Sequence, residues 1–413
     1  MNISLSKTIR AMSIALDLAE ISSIGDKEDI IEDVSNINYS DHEFTNHSKR
    51  TAYIALRIGY ALNLCKQDMK NLHLAAILHD IGATNSLKSS HIPGGYIREH
   101  CIKGYDILQP FSTFNKISNI ILYHHENYNG TGPMNLKGNT TPIESQIVRL
   151  ADLVELLYEE NVPPYKQQTR IINWVKSNAG IILSPKVSNA FFDVASKDLF
   201  WFDLENIAFI GSILDNISPK LDIYLDLDDF ETIAFIFSNI IDSKSNFTAR
   251  HSIGISELAL KISKYLGYSE EKCKKMKIAG LLHDIGKLAI PSKVLDKEGP
   301  LDKDEFSIIK SHVYYTYIIL DKIDNIEDIR DWASNHHEKL NGKGYPAGLS
   351  SEALSEESRI IAVCDIYQAL TEDRPYRDGL SKEKALSMMD SMANENLICK
   401  SALNHLKNAL SLS

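Results

Sequence analysis

The chain has 413 residues and a formal net charge of −11, with 44% apolar and 24% charged residues. Such a length accommodates two or three domains, each able to bury its own core. The acidic balance excludes a sequence-independent grip on duplex nucleic acid, which needs a basic surface, but a small phosphorylated ligand can still be held by a few local cations. No run approaches 18 uninterrupted apolar residues, so no membrane span is expected. The five cysteines (Cys65, Cys101, Cys273, Cys364, Cys399) form no CxxC pair, which reads as reduced thiols in a cytoplasmic protein.

Apolar residues recur at helical spacing almost throughout, with Gly and Pro between the periodic stretches, so the expected fold class is all-α. The N-terminus reads as an amphipathic helix (Ile9, Met12, Ile14, Leu16, Leu18), interrupted by Arg10, Asp17 and Glu20 and lacking a secretory core or cleavage site. Residues 21–43 are polar and acidic and read as a loop or short surface helix. From there the chain repeats itself. His47-Ser48 returns as His251-Ser252, and His79-Asp80-Ile81-Gly82 as His283-Asp284-Ile285-Gly286, both at an offset of 204. His100 matches His312, and His124-His125-Glu126 matches His336-His337-Glu338, at an offset of 212. Asn129-Gly130-Thr131-Gly132 matches Asn341-Gly342-Lys343-Gly344, and Asp152 matches Asp365 at 213. Conserved register across two small insertions is the mark of an internal duplication. The expected organisation is a first unit over 1–195, a connecting segment over 196–227 with Pro219 as a breaker, and a second unit over 228–413. The first helix of the second unit, 230–242, resembles 8–17 in pattern.

Ten of the fourteen histidines fall into two matching sets of five, which a core-histidine role does not explain. Metal ligation does. In the second unit the candidates are His251, His283, Asp284, His312, His336, His337 and Asp365. Seven ligands exceed one tetrahedral ion and suit two ions with a bridging carboxylate, for which Asp284 is the candidate. Imidazole and carboxylate without thiolate point to iron or manganese, with zinc third. Two such ions lower the pKa of a water held between them and clamp the oxygens of a phosphoryl displacement. Lys287, three residues past Asp284, can offset charge on a phosphate oxygen. Tyr345 can stack on a base, and Arg374 and Arg377 suit phosphate or guanine contacts. The first unit keeps a second candidate set: His47, His79, Asp80, His100, His124, His125 and Asp152. It has Ala83 where the second has Lys287, and Gly132-Pro133-Met134 where the second has Gly344-Tyr345-Pro346.

Over roughly residues 228–400 these separated motifs, closing with Arg374-Pro375-Tyr376-Arg377, make the second unit resemble an HD-GYP domain of the HD phosphohydrolase superfamily. The resemblance implies two tandem HD-type helical domains, the first divergent. It implies a bacterial signalling enzyme that hydrolyses cyclic di-GMP to the linear dinucleotide and onward to GMP, using a di-iron or di-manganese centre. Some members hold a third metal with a Glu four residues before the first His; here that residue is Phe247, which favours two. The expected catalytic groups are Asp284 and Lys287, with Lys287, Tyr345, Arg374 and Arg377 on the substrate. One alternative is another cyclic dinucleotide, such as 3′3′-cyclic GMP-AMP. Another is a non-catalytic module that binds nucleotide or partner proteins. The first unit is expected to regulate, dimerise or sense rather than cleave.

Overall fold

The structure is a computed structural model that describes residues 2–22, 31–32, 37–38, 46–83, 95–110, 114–244, 251–373 and 378–411. It is all-α apart from two short antiparallel pairs, Ile3–Ser4 with Tyr224–Leu225 and Ile31–Glu32 with Ile37–Asn38. The chain forms two compact units. One comprises Ile24–Leu221, and the other joins Met1–Ser23 to Asp222–Ser413. No described helix is long and apolar enough to cross a membrane. All five cysteines are unpaired.

The duplication is visible as matched helices. His47–Ala61 and His251–Tyr265 each run 15 residues, and Lys66–Leu78 and Glu270–Leu282 each run 13. The second pair start alike. The Ser269 hydroxyl accepts from Lys272 N at 3.3 Å, and the Cys65 thiol takes the same role for Asp68 N at 3.5 Å. Asn115–Leu122 corresponds to Glu327–Ser334, and Ile143–Leu157 to Glu356–Thr371. Gly95–Leu108 and Lys303–Leu320 carry the single histidines, His100 and His312.

The partition differs from the expected 1–195, 196–227 and 228–413 in two places. The N-terminal helix Leu5–Ile21 belongs to the C-terminal unit, where Ile9, Met12 and Leu16 are buried. Several bonds fix it there. Ser22 Oγ donates to Leu288 O at 2.8 Å, Asn325 Nδ2 donates to Asn2 O at 2.8 Å, and Lys7 pairs with Asp324. Residues 196–221 are not a connector. Helices Asp198–Glu205 and Ile210–Ile217 bury Phe200, Trp201, Ile210 and Leu214 in the N-terminal unit. Trp201 Nε1 donates to Ala195 O at 2.8 Å, satisfying the indole inside that core. In the 21–43 stretch, Ile21 ends the first helix and the described residues 31–32 and 37–38 pair as a short ribbon, Ile31–Glu32 with Ile37–Asn38.

Candidate metal centre

His283 caps the C-terminal end of helix Glu270–Leu282 and Asp284 precedes the short helix Ile285–Ala289, and both side chains are buried at this junction. Gly286 makes that packing feasible. A Cβ on Gly286 would lie 1.9 Å from His312 O and 2.6 Å from Thr316 N, so only glycine lets the His-Asp turn lie against helix Lys303–Leu320. Thr316 ties the two together, accepting from Gly286 N at 3.1 Å and donating to His283 O at 3.0 Å. Gly82 plays the same part in the N-terminal unit, where a Cβ would meet His100 O at 2.2 Å.

The seven expected donors of the C-terminal unit converge around Asp284. Its Oδ1 lies 3.3 Å from His312 Nε2 and 3.8 Å from His336 Nε2. Its Oδ2 lies 2.9 Å from His283 Nε2 and 3.9 Å from His251 Nε2. Asp365 Oδ1 is 3.2 Å from His251 Nε2, and Asp365 Oδ2 is 3.9 Å from His337 Nδ1. Three overlapping groups able to hold an ion result, His251–His283–Asp365, His312–His336–His337 and His283–Asp284–His336, and the oxygens of Asp284 divide between the first two, Oδ2 toward His283 and Oδ1 toward His312.

Hydrogen bonds behind the cluster set the tautomers. His283 Nδ1 donates to Gly280 O at 2.8 Å, His312 Nδ1 to Ile309 O at 2.6 Å, and His336 Nδ1 to Ala333 O at 2.6 Å. A carbonyl only accepts, so each Nε2 carries a lone pair aimed at the cluster. His283 Nε2 and Asp284 Oδ1 are buried with no hydrogen-bond partner. His312 Nε2 and His336 Nε2 face each other at 3.4 Å. Lone pairs brought this close to each other and to carboxylates repel unless a cation lies among them, so the donor set fits metal ions.

For His312, His336 and Asp284 the electrostatics agree with ligand forms, whereas His251 holds a proton that a metal ion would displace. Burial pushes His312 down to about 3 and holds His336 well below its usual value, keeping both neutral. Burial opposes ionisation of Asp284, but His283 and the Lys287 ammonium hold its carboxyl well below the usual range. Burial also lowers His251, yet its bonds to Asp365 and Glu372 raise it to about 9. Lys287 pairs directly with Asp284 and stays partly exposed. The Tyr345 ring lies 4.9 Å from that of His337, whose side chain is 30% exposed, so this edge of the cluster is open. Arg374, Arg377 and Phe247 lie outside the described residues.

Sequence reading missed three supports. Glu372 accepts from His251 Nδ1 at 3.0 Å, and its only signal is an acidic residue at the end of the helix bearing Asp365. Glu338 anchors the Gly-Tyr-Pro loop by accepting from the backbone of Ala347, Gly348 and Leu349 at 2.8–3.0 Å. A Cβ on Gly344 would lie 2.4 Å from Glu338 Cα and from Lys339 N, so the loop packs on that backbone only with glycine there. Arg149 is the third, buried in the N-terminal unit, where a cation three residues before Asp152 was the available signal.

The N-terminal unit brings its seven expected residues together too, with Asp80 at 12% side-chain exposure the most open of them. His47, His79, His100, His124, His125 and Asp152 are at most 3% exposed. His47 Nε2 is 3.3 Å from Asp80 Oδ2, and His100 Nε2 is 3.4 Å from Asp80 Oδ1. Glu155 accepts from His47 Nδ1 and is itself gripped by Arg50, whose Nε donates at 2.7 Å.

HD domain family models match residues 44–157 and 236–398. The chain belongs to the HD domain family. It carries two HD domains, and Gly344-Tyr345-Pro346 marks the second as the HD-GYP kind. It is 29% identical over 360 residues to 3′3′-cGAMP-specific phosphodiesterase 1 of Vibrio cholerae, covering 83% of this chain and 82% of that protein. It is 31% identical over 297 residues to 3′3′-cGAMP-specific phosphodiesterase 3 of that organism, covering 71% and 63%. A cyclic di-GMP phosphodiesterase of Pseudomonas aeruginosa is 35% identical over 150 residues, 36% of each chain. A crystal structure of a V. cholerae cyclic GMP-AMP specific phosphodiesterase matches the fold with a TM-score of 0.66 at 22% identity, covering 100% of this chain and 99% of that one.

Proposed function

We propose that the C-terminal HD domain is a metal-dependent phosphodiesterase that opens a cyclic dinucleotide. The observation that carries this reading is the Asp284 carboxylate, with one oxygen turned to each of two donor triads beside an exposed edge. His251, His283 and Asp365 would hold one divalent ion and His312, His336 and His337 the other, with Asp284 shared. Imidazole-rich sites without thiolate favour iron or manganese, with zinc third. Ions bound there supply an activated water and neutralise charge on phosphate oxygens. Lys287 sits beside the shared carboxylate, where its ammonium holds a non-bridging phosphate oxygen. Tyr345, next to His337, offers a ring face to a base, and Glu338 keeps its loop in place. Arg374 and Arg377 remain candidates for phosphate or guanine contacts. Hydrolysis of one of the ring's two phosphodiester bonds gives the linear dinucleotide, and GMP follows if cleavage continues.

Similarity to V. cholerae proteins named for 3′3′-cGAMP extends over both units, whereas the P. aeruginosa relative named for cyclic di-GMP aligns with about a third of the chain. We therefore place 3′3′-cyclic GMP-AMP first and cyclic di-GMP second. The N-terminal HD domain is assigned a regulatory or dimerising role, because its buried cluster lacks the lysine and the tyrosine. The test is turnover of both cyclic dinucleotides by protein loaded anaerobically with iron or manganese, with metal counted in the same sample. Asp284→Ala is expected to lose metal and activity together, and Asp80→Ala to keep activity. Full activity in Asp284→Ala would overturn the assignment. Metal bound without turnover of either dinucleotide would overturn the substrate class.

A further inference from the structure

We propose that Lys244 and Ser22 form a clamp that positions Lys287, so that the N-terminal helix takes part in the reaction of the C-terminal domain; this rests on the phosphodiesterase reading above. Lys287 lies in the short 3-10 helix Ile285–Ala289, and its side chain pairs with Asp284. A helix this short leaves its last carbonyls in need of outside donors. Leu288 directly follows Lys287 and is fully buried. Three residues beyond it, where a 3-10 pattern would supply the donor, stands Pro291, which has no N–H. The Leu288 carbonyl accepts instead from the Lys244 ammonium. The Ser22 hydroxyl accepts from the same ammonium, and its own proton is shared between Leu288 O at 2.8 Å and Ala19 O at 2.9 Å. Lys244 is only 3% exposed, and a buried ammonium is costly unless its donors are used. Here they join three elements at one carbonyl: the end of helix Leu5–Ile21, the end of helix Leu227–Lys244 and the turn that carries Lys287.

The end of helix Leu227–Lys244 also serves the other side of the cluster. Asp242 accepts from Ser252 N at 3.1 Å and from Ser252 Oγ at 2.7 Å, next to His251 at the start of helix His251–Tyr265. An acid thus lies at the N-terminal end of a helix that carries a metal-ligand candidate, and a base at the C-terminal end of the short helix that carries Lys287. Each is the favourable sign for its helix end. Lys244 is buried and acts on the backbone beside Lys287 rather than on phosphate, so it is a positioning residue. Releasing Leu288 O lets the turn shift, and a misplacement of about 1 Å at a reacting group costs about 10²-fold in rate.

The test uses full-length protein loaded with Mn(II) and the cyclic dinucleotide that the wild type turns over. Lys244→Met is expected to lower kcat by about 10–100-fold with the metal count unchanged. Ser22→Ala is expected to lower it by less, and Ser22→Thr, which keeps the hydroxyl, to match wild type. Lys287→Met removes the group being positioned, so adding Lys244→Met to it is expected to cost nothing further. Hydrogen exchange gives a readout that needs no turnover. The amides of 285–290 are expected to exchange faster in Lys244→Met and Ser22→Ala, with Glu270–Leu282 unchanged. Losses that multiply in the folded double variant overturn the positioning role, because a clamp that only stabilised the fold would act independently of Lys287. Unchanged exchange at 285–290 in both single variants overturns the clamp itself. Absence of turnover in the metal-loaded wild type falls on the phosphodiesterase reading, and the clamp is then decided by exchange.

Discussion

At the scale of single residues, metal affinity is set as much behind the ligands as by them. Glu372 holds His251 Nδ1, so Glu372→Gln is expected to weaken metal binding by about 10–100-fold in a chelator competition while the fold persists. Lys287→Met leaves every donor in place, so kcat is expected to fall by about 10²–10³-fold with the metal count unchanged. A residue outside both clusters contributes to acid stability. His73 is buried in the N-terminal unit with its Nδ1 unpartnered, and burial pushes it down from 6.5 to about 4. Its folded pKa lies below the unfolded one, so the unfolded chain takes up the proton first. Stability is therefore full above about pH 6.5 and falls between 6.5 and 4, by on the order of 3 kcal/mol for this group. His73→Leu is expected to unfold less than wild type at pH 5 and equally at pH 8, as followed by denaturant titration.

At the scale of elements, both units rely on glycine where two pieces of backbone touch. Gly286→Ala would force the His-Asp turn off helix Lys303–Leu320, separating Asp284 from His312. It is expected to lose metal and at least about 1–3 kcal/mol of stability. Loss of metal with an unchanged melting temperature would contradict that packing argument. The duplication, the helical class and both donor sets were legible in the sequence because they depend on residue type and spacing along one chain. Glu372, Glu338 and Arg149 were not, because each acts on a partner at a different register. Glu155 serves His47 from three residues past Asp152, whereas Glu372 serves His251 from seven past Asp365. The repeat offset therefore gives no hint of either.

For the whole molecule, the first helix belongs with the last domain. Leu5–Ile21 buries Ile9, Met12 and Leu16 in the C-terminal unit, and each such side chain contributes about 1.5–3 kcal/mol. Deleting residues 2–22 is expected to speed hydrogen exchange in the Lys303–Leu320 helix and in the segment around Leu288. Exchange in Lys66–Leu78 should stay unchanged. Faster exchange in the N-terminal unit alone would contradict the observed partition.

The sequence by itself determined the all-α class, the duplication, the two matching sets of histidines and aspartates and the missing lysine and tyrosine of the first. These follow from composition, periodicity and offset, which are properties of the chain alone. Only the tertiary structure decided which unit the N-terminal helix joins and how the oxygens of Asp284 divide between two triads. It alone brought the Arg149 charge onto His125. Those outcomes depend on which surfaces and side chains meet in space across tens to hundreds of residues, and no local pattern encodes them.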